Sequence, residues 1–278
     1  MPASIPFHDF GGHGPLIHFS HSNGYPPECF QRVINHLLPH FRVIAIRHRA
    51  LWPGSEPEEL ENWHLIADDL IRFFYQQGIS NVIGMGHSSG AVATMYASLK
   101  RPDLFQSLIL LDPVFLPQEV LTMVAANPGL RDEMPLVKRT PKRRNRWPSR
   151  QAAYDQFRPK SVFKHWPDAT LWDYVNCALE QDESGDVVLA YSREWETQLY
   201  RTMPLDVWDL VPQMTHPTLA LRGAESDTLM PASWQLWQNL QPKAEFVQVA
   251  GTGHMLLMEQ PEHVADIILN YLRQRKAA

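Results

Sequence analysis

Cysteine is scarce in this chain, with Cys29 and Cys177 the two among 278 residues. Two thiols give no disulfide framework, so a hydrophobic core must hold the fold. Long apolar runs are also missing. No segment approaches the ~20 residues that a membrane-spanning helix needs. Residues Met1-Pro2-Ala3-Ser4-Ile5-Pro6 lack the basic region and apolar stretch of a signal peptide. A soluble, cytoplasmic protein is therefore expected. Positive charge is not in excess: 25 Lys and Arg stand against 30 Asp and Glu, for a net charge of −5. That balance gives no general reason to expect nucleic acid or an anionic membrane as a partner. Internal repeats and low-complexity tracts are absent. What is present is an ordinary hydrophobic content of 44%. It is ample for a sizeable core, and the length suits one α/β domain carrying an insertion.

Short apolar segments alternate with helical patterns along the chain. Residues 16–20, 42–46, 81–85, 107–111, 217–222 and 244–249 read as strands. This alternation predicts a mostly parallel sheet flanked by helices. One intervening helix is well marked. Leu60, Trp63, Ala67, Leu70 and Phe74 share a face at helical spacing, and Gly78 stands where a C-terminal cap would. That stripe reads as core, not as a cofactor box. Val264, Ile268 and Tyr271 give the last helix its buried face.

The most informative stretch is Gly86-His87-Ser88-Ser89-Gly90, of the form G-x-S-x-G. An apolar strand precedes it, and a helix-compatible run of small residues follows. Strand, sharp turn and helix are the context of a nucleophile elbow. Such a turn strains the central residue and lifts its hydroxyl clear of the sheet. The glycines leave room where a Cβ would collide. The helix N-terminus beyond it favours developing negative charge.

A nucleophilic serine needs a histidine base and a carboxylate to orient it. Thirteen histidines are available, so position must choose. His254 lies in a glycine-rich loop, Gly251-Thr252-Gly253-His254, after the strand at 244–249 and before a helix starting at Pro261. For the acid, Asp227 ranks first, in the loop after the strand at 217–222. Asp112, directly after the strand at 107–111, ranks second, and Glu225 third. An N-cap role is the structural alternative for Asp227. An oxyanion hole needs two donors. The N–H of Ser89 supplies one, and the Asn23 N–H, in the loop after the strand at 16–20, is expected to supply the other. Nothing in this set calls for a metal or a cofactor.

Together these pieces resemble the α/β-hydrolase superfamily. The resemblance rests on the elbow at Ser88, the His21-Ser22-Asn23 turn where the family usually has His-Gly-x, the Gly223 to Asp227 loop, and Gly253-His254. It covers residues 5–113 and 211–278. Where many relatives carry an Asp-x-Arg-Gly-x-Gly-x-Ser run, this chain has Arg47-His48-Arg49-Ala50-Leu51-Trp52-Pro53-Gly54-Ser55. A serine at the elbow argues against the relatives that use aspartate there, the haloalkane dehalogenases and epoxide hydrolases. The resemblance implies a core of residues 1–115 and 211–278, with a helical cap at 116–210 inserted after the sixth strand.

The stretch between residues 112 and 217 is far longer than a simple crossover needs. Helices are expected near 118–126, 149–157, 168–180 and 193–202. The segment is rich in aromatics, including Trp147, Phe157, Phe163, Trp166, Trp172, Tyr174 and Trp195. Most would pack the cap onto the core, and a few would line an apolar pocket. Lys138, Arg139, Lys142, Arg143, Arg144, Arg146 and Arg150 form a basic run. It reads as a solvated face, or as an anion site for a substrate carboxylate or phosphate. The function expected is cleavage of a small, partly apolar carboxylic ester through Ser88, His254 and Asp227. Thioester, lactone and carbon–carbon hydrolysis would use the same residues, and a non-enzymatic ligand-binding protein could share the fold.

Overall fold

A computed structural model describes residues 4–277. The chain begins with β1 (Phe7–Gly11) and β2 (Leu16–Ser20), then α1 (Gln31–Leu37) and β3 (Arg42–Ile46). Next come α2 (His64–Gln77), β4 (Val82–His87), α3 (Ser89–Lys100) and β5 (Phe105–Leu111). Helix α2 ends at Gly78, whose φ of +64° is the left-handed cap that its sequence announces. Leu60 and Trp63 lie just before α2 rather than in it, yet both are buried with its apolar face.

After β5 the chain leaves the sheet. The insertion holds α4 (Gln118–Ala126), α5 (Leu130–Glu133), α6 (Pro135–Arg139), β6 (Arg146–Trp147), α7 (Arg150–Phe157), α8 (Asp168–Cys177), β7 (Leu179–Gln181), β8 (Val187–Leu189), α9 (Arg193–Arg201) and α10 (Val207–Leu210). The chain then returns through β9 (Thr218–Gly223), α11 (Pro231–Leu240), β10 (Glu245–Val249), α12 (Leu256–Glu259) and α13 (Pro261–Ala277). The insertion thus follows the fifth strand in chain order among the described residues, one earlier than expected.

Seven strands make the main sheet, in the order β1-β3-β2-β4-β5-β9-β10. Only β1 runs antiparallel, against β3. The central strands are apolar on both faces because helices cover both, as parallel sheets require. Their side chains alternate between two core layers. Ile17, Phe19, Ile109, Leu111, Leu219 and Leu221 face α1 and α13, while Leu108, Leu110 and Ala220 face α2 and α3.

The insertion is not wholly helical. Strands β6, β8 and β7 form a small antiparallel sheet. The helix expected to reach residue 180 stops at Cys177, because Leu179 and Val187–Leu189 instead pair across a turn at Asp182–Gly185. Gly185 takes φ +90° there, which suits glycine. Trp147, Phe157, Phe163, Trp166 and Tyr174 are buried against one another, with ring centroids 5.0–5.9 Å apart in their contacts. Tyr25, from the loop after β2, joins that cluster at 5.2 Å from Tyr174. Most of the insertion's aromatics therefore fasten it to the core.

The start of α3 packs on the end of β2 without space for a side chain. A Cβ at Gly90 would lie 2.0 Å from the Ser20 carbonyl oxygen and 2.6 Å from that of His21. Both obstacles are backbone, so the helix itself must shift. Gly90→Ala is expected to cost about 3 kcal/mol, the upper end of ordinary overpacking. Denaturant unfolding measures this, and a loss below about 0.5 kcal/mol would show that the contact can relax.

Candidate active site

Ser88 caps α3 at the C-terminal end of β4 with φ +57° and ψ −121°, a backbone conformation that L side chains rarely adopt. Its N–H donates to the Leu111 carbonyl at 3.0 Å, which ties the elbow to β5. A Cβ at Gly86 would meet the Gly90 carbonyl oxygen at 2.4 Å, so a glycine is required for this turn to close. Ser88 is 6% exposed, and its Oγ lies 2.9 Å from His254 Nε2.

His254 sits in the loop between β10 and α12. Three contacts shape that loop. The Gly253 N–H donates to Glu259 Oε2 at 2.7 Å, the Thr252 hydroxyl to the Val249 carbonyl at 2.8 Å, and the Glu225 N–H to the Thr252 carbonyl at 2.8 Å. Burial raises the pKa of Glu259, while the hydrogen bond from Gly253 opposes that shift.

His254 Nδ1 lies 2.8 Å from Asp112 Oδ1. Asp112 is fully buried at the end of β5, again with a positive φ of +42°. Its carboxylate also accepts from the Ser226 hydroxyl at 2.6 Å and the Gly223 N–H at 2.8 Å. Asp227, the first-ranked acid, does not reach His254. It is exposed, with a 3.5 Å contact from the Thr228 hydroxyl. The reason lies in how its loop is held. Arg222 donates to the carbonyls of Ala224, Ser226 and Leu229, which wraps residues 223–229 tightly. Ser226 is thereby turned inward onto Asp112, and its neighbours Glu225 and Asp227 are turned to solvent. The second-ranked candidate occupies the position expected of the first.

Ser89 opens α3, so its N–H has no acceptor within the helix. Asn23 is buried in the loop after β2, and Ser20 at the end of that strand pairs in register with Gly86. The two expected oxyanion donors thus come from the ends of adjacent strands.

A set of buried histidines underlies these loops. His87 Nε2 donates to the His254 carbonyl at 2.8 Å, so Nδ1 accepts, from the Ser22 hydroxyl. His21 Nε2 accepts from the His48 N–H at 3.0 Å, and Nδ1 donates to the Ser22 carbonyl at 3.0 Å. His48 stacks on His21 with centroids 3.8 Å apart and meets the Ser20 hydroxyl at 2.9 Å. His18 accepts from the Ile46 N–H at 3.2 Å. Sequence reasoning did not single out this layer. Its trace in the sequence is polar residues within or just after otherwise apolar strands.

The basic run divides. Arg146 pairs with Asp182 and Asp186, Lys138 with Glu133, and Arg144 lies over the Trp147 ring. Arg143 alone of these turns inward, onto the buried Glu196. No group of three or more His, Cys, Asp or Glu side chains among the described residues could hold a metal ion. No helix among them is long and apolar enough to cross a membrane.

The Alpha/beta hydrolase family profile matches residues 13–267, nearly the whole chain, and the protein belongs to that family. It is 24% identical over 266 residues to 2-(acetamidomethylene)succinate hydrolase of Mesorhizobium japonicum, covering 94% of this chain and 89% of that one. It is 28% identical over 233 residues to the abhydrolase domain-containing protein AKT2 of Alternaria alternata, covering 70% and 84%. The crystal structure of E-2-(acetamidomethylene)succinate hydrolase superposes with a TM-score of 0.82 at 22% identity, over 97% and 95% of the two chains. A thermophilic esterase from Thermogutta terrifontis superposes with a TM-score of 0.70 at 22% identity, over 97% and 93%.

Burial lowers the pKa of His18 and His87 to about 3, that of His21 to about 4, and that of His48 well below its ordinary value. All four stay neutral in the fold, whereas unfolded imidazoles titrate near 6.5. Folded values below unfolded ones mean stability that is present above pH ~6.5 and lost as the pH falls towards 4. His18, His21 and His87 each contribute roughly 2 kcal/mol of loss between pH 7 and pH 5, and His48 adds to it in the same direction. Urea unfolding at the two pH values should therefore differ by several kcal/mol. A difference under about 2 kcal/mol would mean that the folded protein accommodates the protons.

Proposed function

We propose that the protein is a serine hydrolase that cleaves a carboxylic ester through an acyl-enzyme, with Ser88 as nucleophile, His254 as base and Asp112 as the orienting acid. The observation that carries this reading is the unbroken chain from Ser88 Oγ to His254 Nε2 at 2.9 Å and from His254 Nδ1 to Asp112 at 2.8 Å. The order of donors follows from chemistry. A carboxylate only accepts, so Nδ1 carries the proton, and Nε2 is left with the lone pair that takes the proton from Ser88.

Ser88 Oγ attacks the carbonyl carbon and His254 receives its proton. The oxyanion is met by the N–H groups of Ser89 and Asn23, aided by the N-terminus of α3. His254 then protonates the leaving alcohol as the tetrahedral species collapses to the acyl-enzyme. Water repeats the sequence and frees the acid. Asp112 holds the imidazole and stabilises its charged form in a site where water is scarce. Residues 116–210 act as the cap over this site. No step here calls for a metal or a cofactor, and the substrate is a small, partly apolar molecule.

The similar proteins support hydrolysis as the class, since their names include a succinate-derivative hydrolase and an esterase. The same residues serve thioesters, lactones and carbon–carbon bonds.

Ser88→Ala should lower kcat on phenyl esters by about 10⁵ with the fold intact. Asp112→Asn should cost about 10⁴, because the amide presents the wrong partner to Nδ1. Asp227→Asn should stay within about threefold, as an exposed side chain away from the reacting atoms. Steady-state kinetics, with circular dichroism to check folding, measure all three. If Asp227→Asn cripples the enzyme and a folded Asp112→Asn does not, the assignment of the acid is wrong.

A further inference from the structure

The residue of the basic run that meets the buried Glu196 is Arg143. Arg143 is paired through Nη1 with Glu196, and its guanidinium also meets the Tyr174 hydroxyl. Glu196 touches the loop after β2 twice. Its main-chain carbonyl accepts from Asn23 Nδ2 at 3.1 Å, and its carboxylate lies 3.5 Å from where a Gly24 Cβ would stand. Tyr25 of the same loop packs on Tyr174, and the Tyr200 hydroxyl reaches Glu196 at 3.4 Å. Glu196 therefore links Arg143 to the loop that carries the residue expected to bind the oxyanion.

This corner contains two buried polar groups without a hydrogen-bond partner among the described residues. Tyr191 is 1% exposed and senses the Glu196 charge, yet its buried hydroxyl has no hydrogen-bond partner among the described residues. Its ring meets His21 edge-on at 6.5 Å, which places it on the same loop. Asn23 Oδ1 is buried without a partner as well. Orphaned buried polar atoms are rare in native proteins and call for a missing partner. The charge balance says which kind. Arg143 and Glu196 cancel, while Arg139 and Lys160 add positive charge around them. A guanidinium has five N–H donors in a fixed fork, of which Glu196 and the Tyr174 hydroxyl engage only part.

We infer that Arg143 and Tyr191 form a subsite for a carboxylate, so that the substrate is a half-ester of a dicarboxylic acid bound with its free end under the cap. The inference rests on the Ser88 hydrolase reading. The remaining arms of Arg143 and the Tyr191 hydroxyl donate to the two carboxylate oxygens, and Glu196 holds the guanidinium in place. The ester carbonyl then lies over Ser88.

The test compares phenyl hydrogen glutarate with phenyl pentanoate, which differ in one terminal carboxylate. The wild-type protein should favour the half-ester by about tenfold or more in kcat/KM, as expected of charge-assisted bonds. Tyr191→Phe deletes an oxygen that bonds nothing in the described protein, so it should fold normally. It should still lower that preference about threefold or more, through KM. Arg143→Gln combined with Glu196→Gln removes the pair without stranding a charge, and should abolish the preference. Arg146→Gln, engaged with Asp182 at the surface, should leave the ratio unchanged. Calorimetry with glutarate reports the subsite without turnover, and binding should weaken in the same order. Equal use of the two esters by the wild type overturns the inference. So does glutarate binding that is absent, or that persists in the double variant. Failure to hydrolyse either ester with glutarate bound as expected would instead fault the Ser88 reading alone.

Discussion

A carboxylate taken out of water must be answered by donors, and the centre of this molecule is arranged around one such group. Asp112 is fully buried, and three donors converge on it from three segments. Gly223 belongs to the end of β9, Ser226 to the loop beyond it, and His254 to the loop after β10. Each donor is far from Asp112 in sequence. Meeting it fixes the relative heights of three neighbouring strand ends and the direction of two loops. Loss of any one donor would leave part of a buried charge unanswered, which is among the costlier defects a fold can carry.

Backbone strain is concentrated at the same level of the sheet. Ser88 and Asp112 both take positive φ without being glycine, and they lie side by side at the ends of β4 and β5. Such conformations persist only where surrounding structure over-determines them. Here the Ser88 N–H bonds to Leu111, the Asp112 N–H bonds to Leu221, and α3 is pressed against Ser20 with no room to retreat. The neutral histidines add a second layer. His87 spans from Ser22 to the carbonyl of His254, so the loop after β2 and the loop after β10 are joined through one imidazole.

The insertion is bound to this centre rather than merely resting on it. Trp63 donates to the Leu199 carbonyl at 3.0 Å, and Gln198 to the Leu60 carbonyl at 2.9 Å. Asn23 donates into the same helix, α9, at Glu196. Its aromatic cluster is continuous with the core layer that faces α1 and α13. Insertion and sheet therefore share their hydrophobic interior.

Much of this was legible in the residues alone. Short apolar runs marked the six parallel strands of the main sheet, because burial on two faces leaves few other choices, whereas β1 and the small sheet of the insertion carried no such mark. The elbow was legible from its glycines, whose missing side chains are a local steric demand. His254 was legible from a glycine-rich loop at a strand end. The choice between Asp112 and Asp227 was not. Both follow strands in neighbouring positions, and each has a local pattern that suits a carboxylate. Only the folded loop at 223–229, drawn in by Arg222, decides that Ser226 faces inward and Asp227 outward. The same holds for the basic run, where nothing local marks which of seven similar side chains meets a buried glutamate. Local sequence specifies what the nearest few residues must do. Which of two equivalent side chains is buried depends on donors that arrive from distant segments, and that is settled only when the chain has closed.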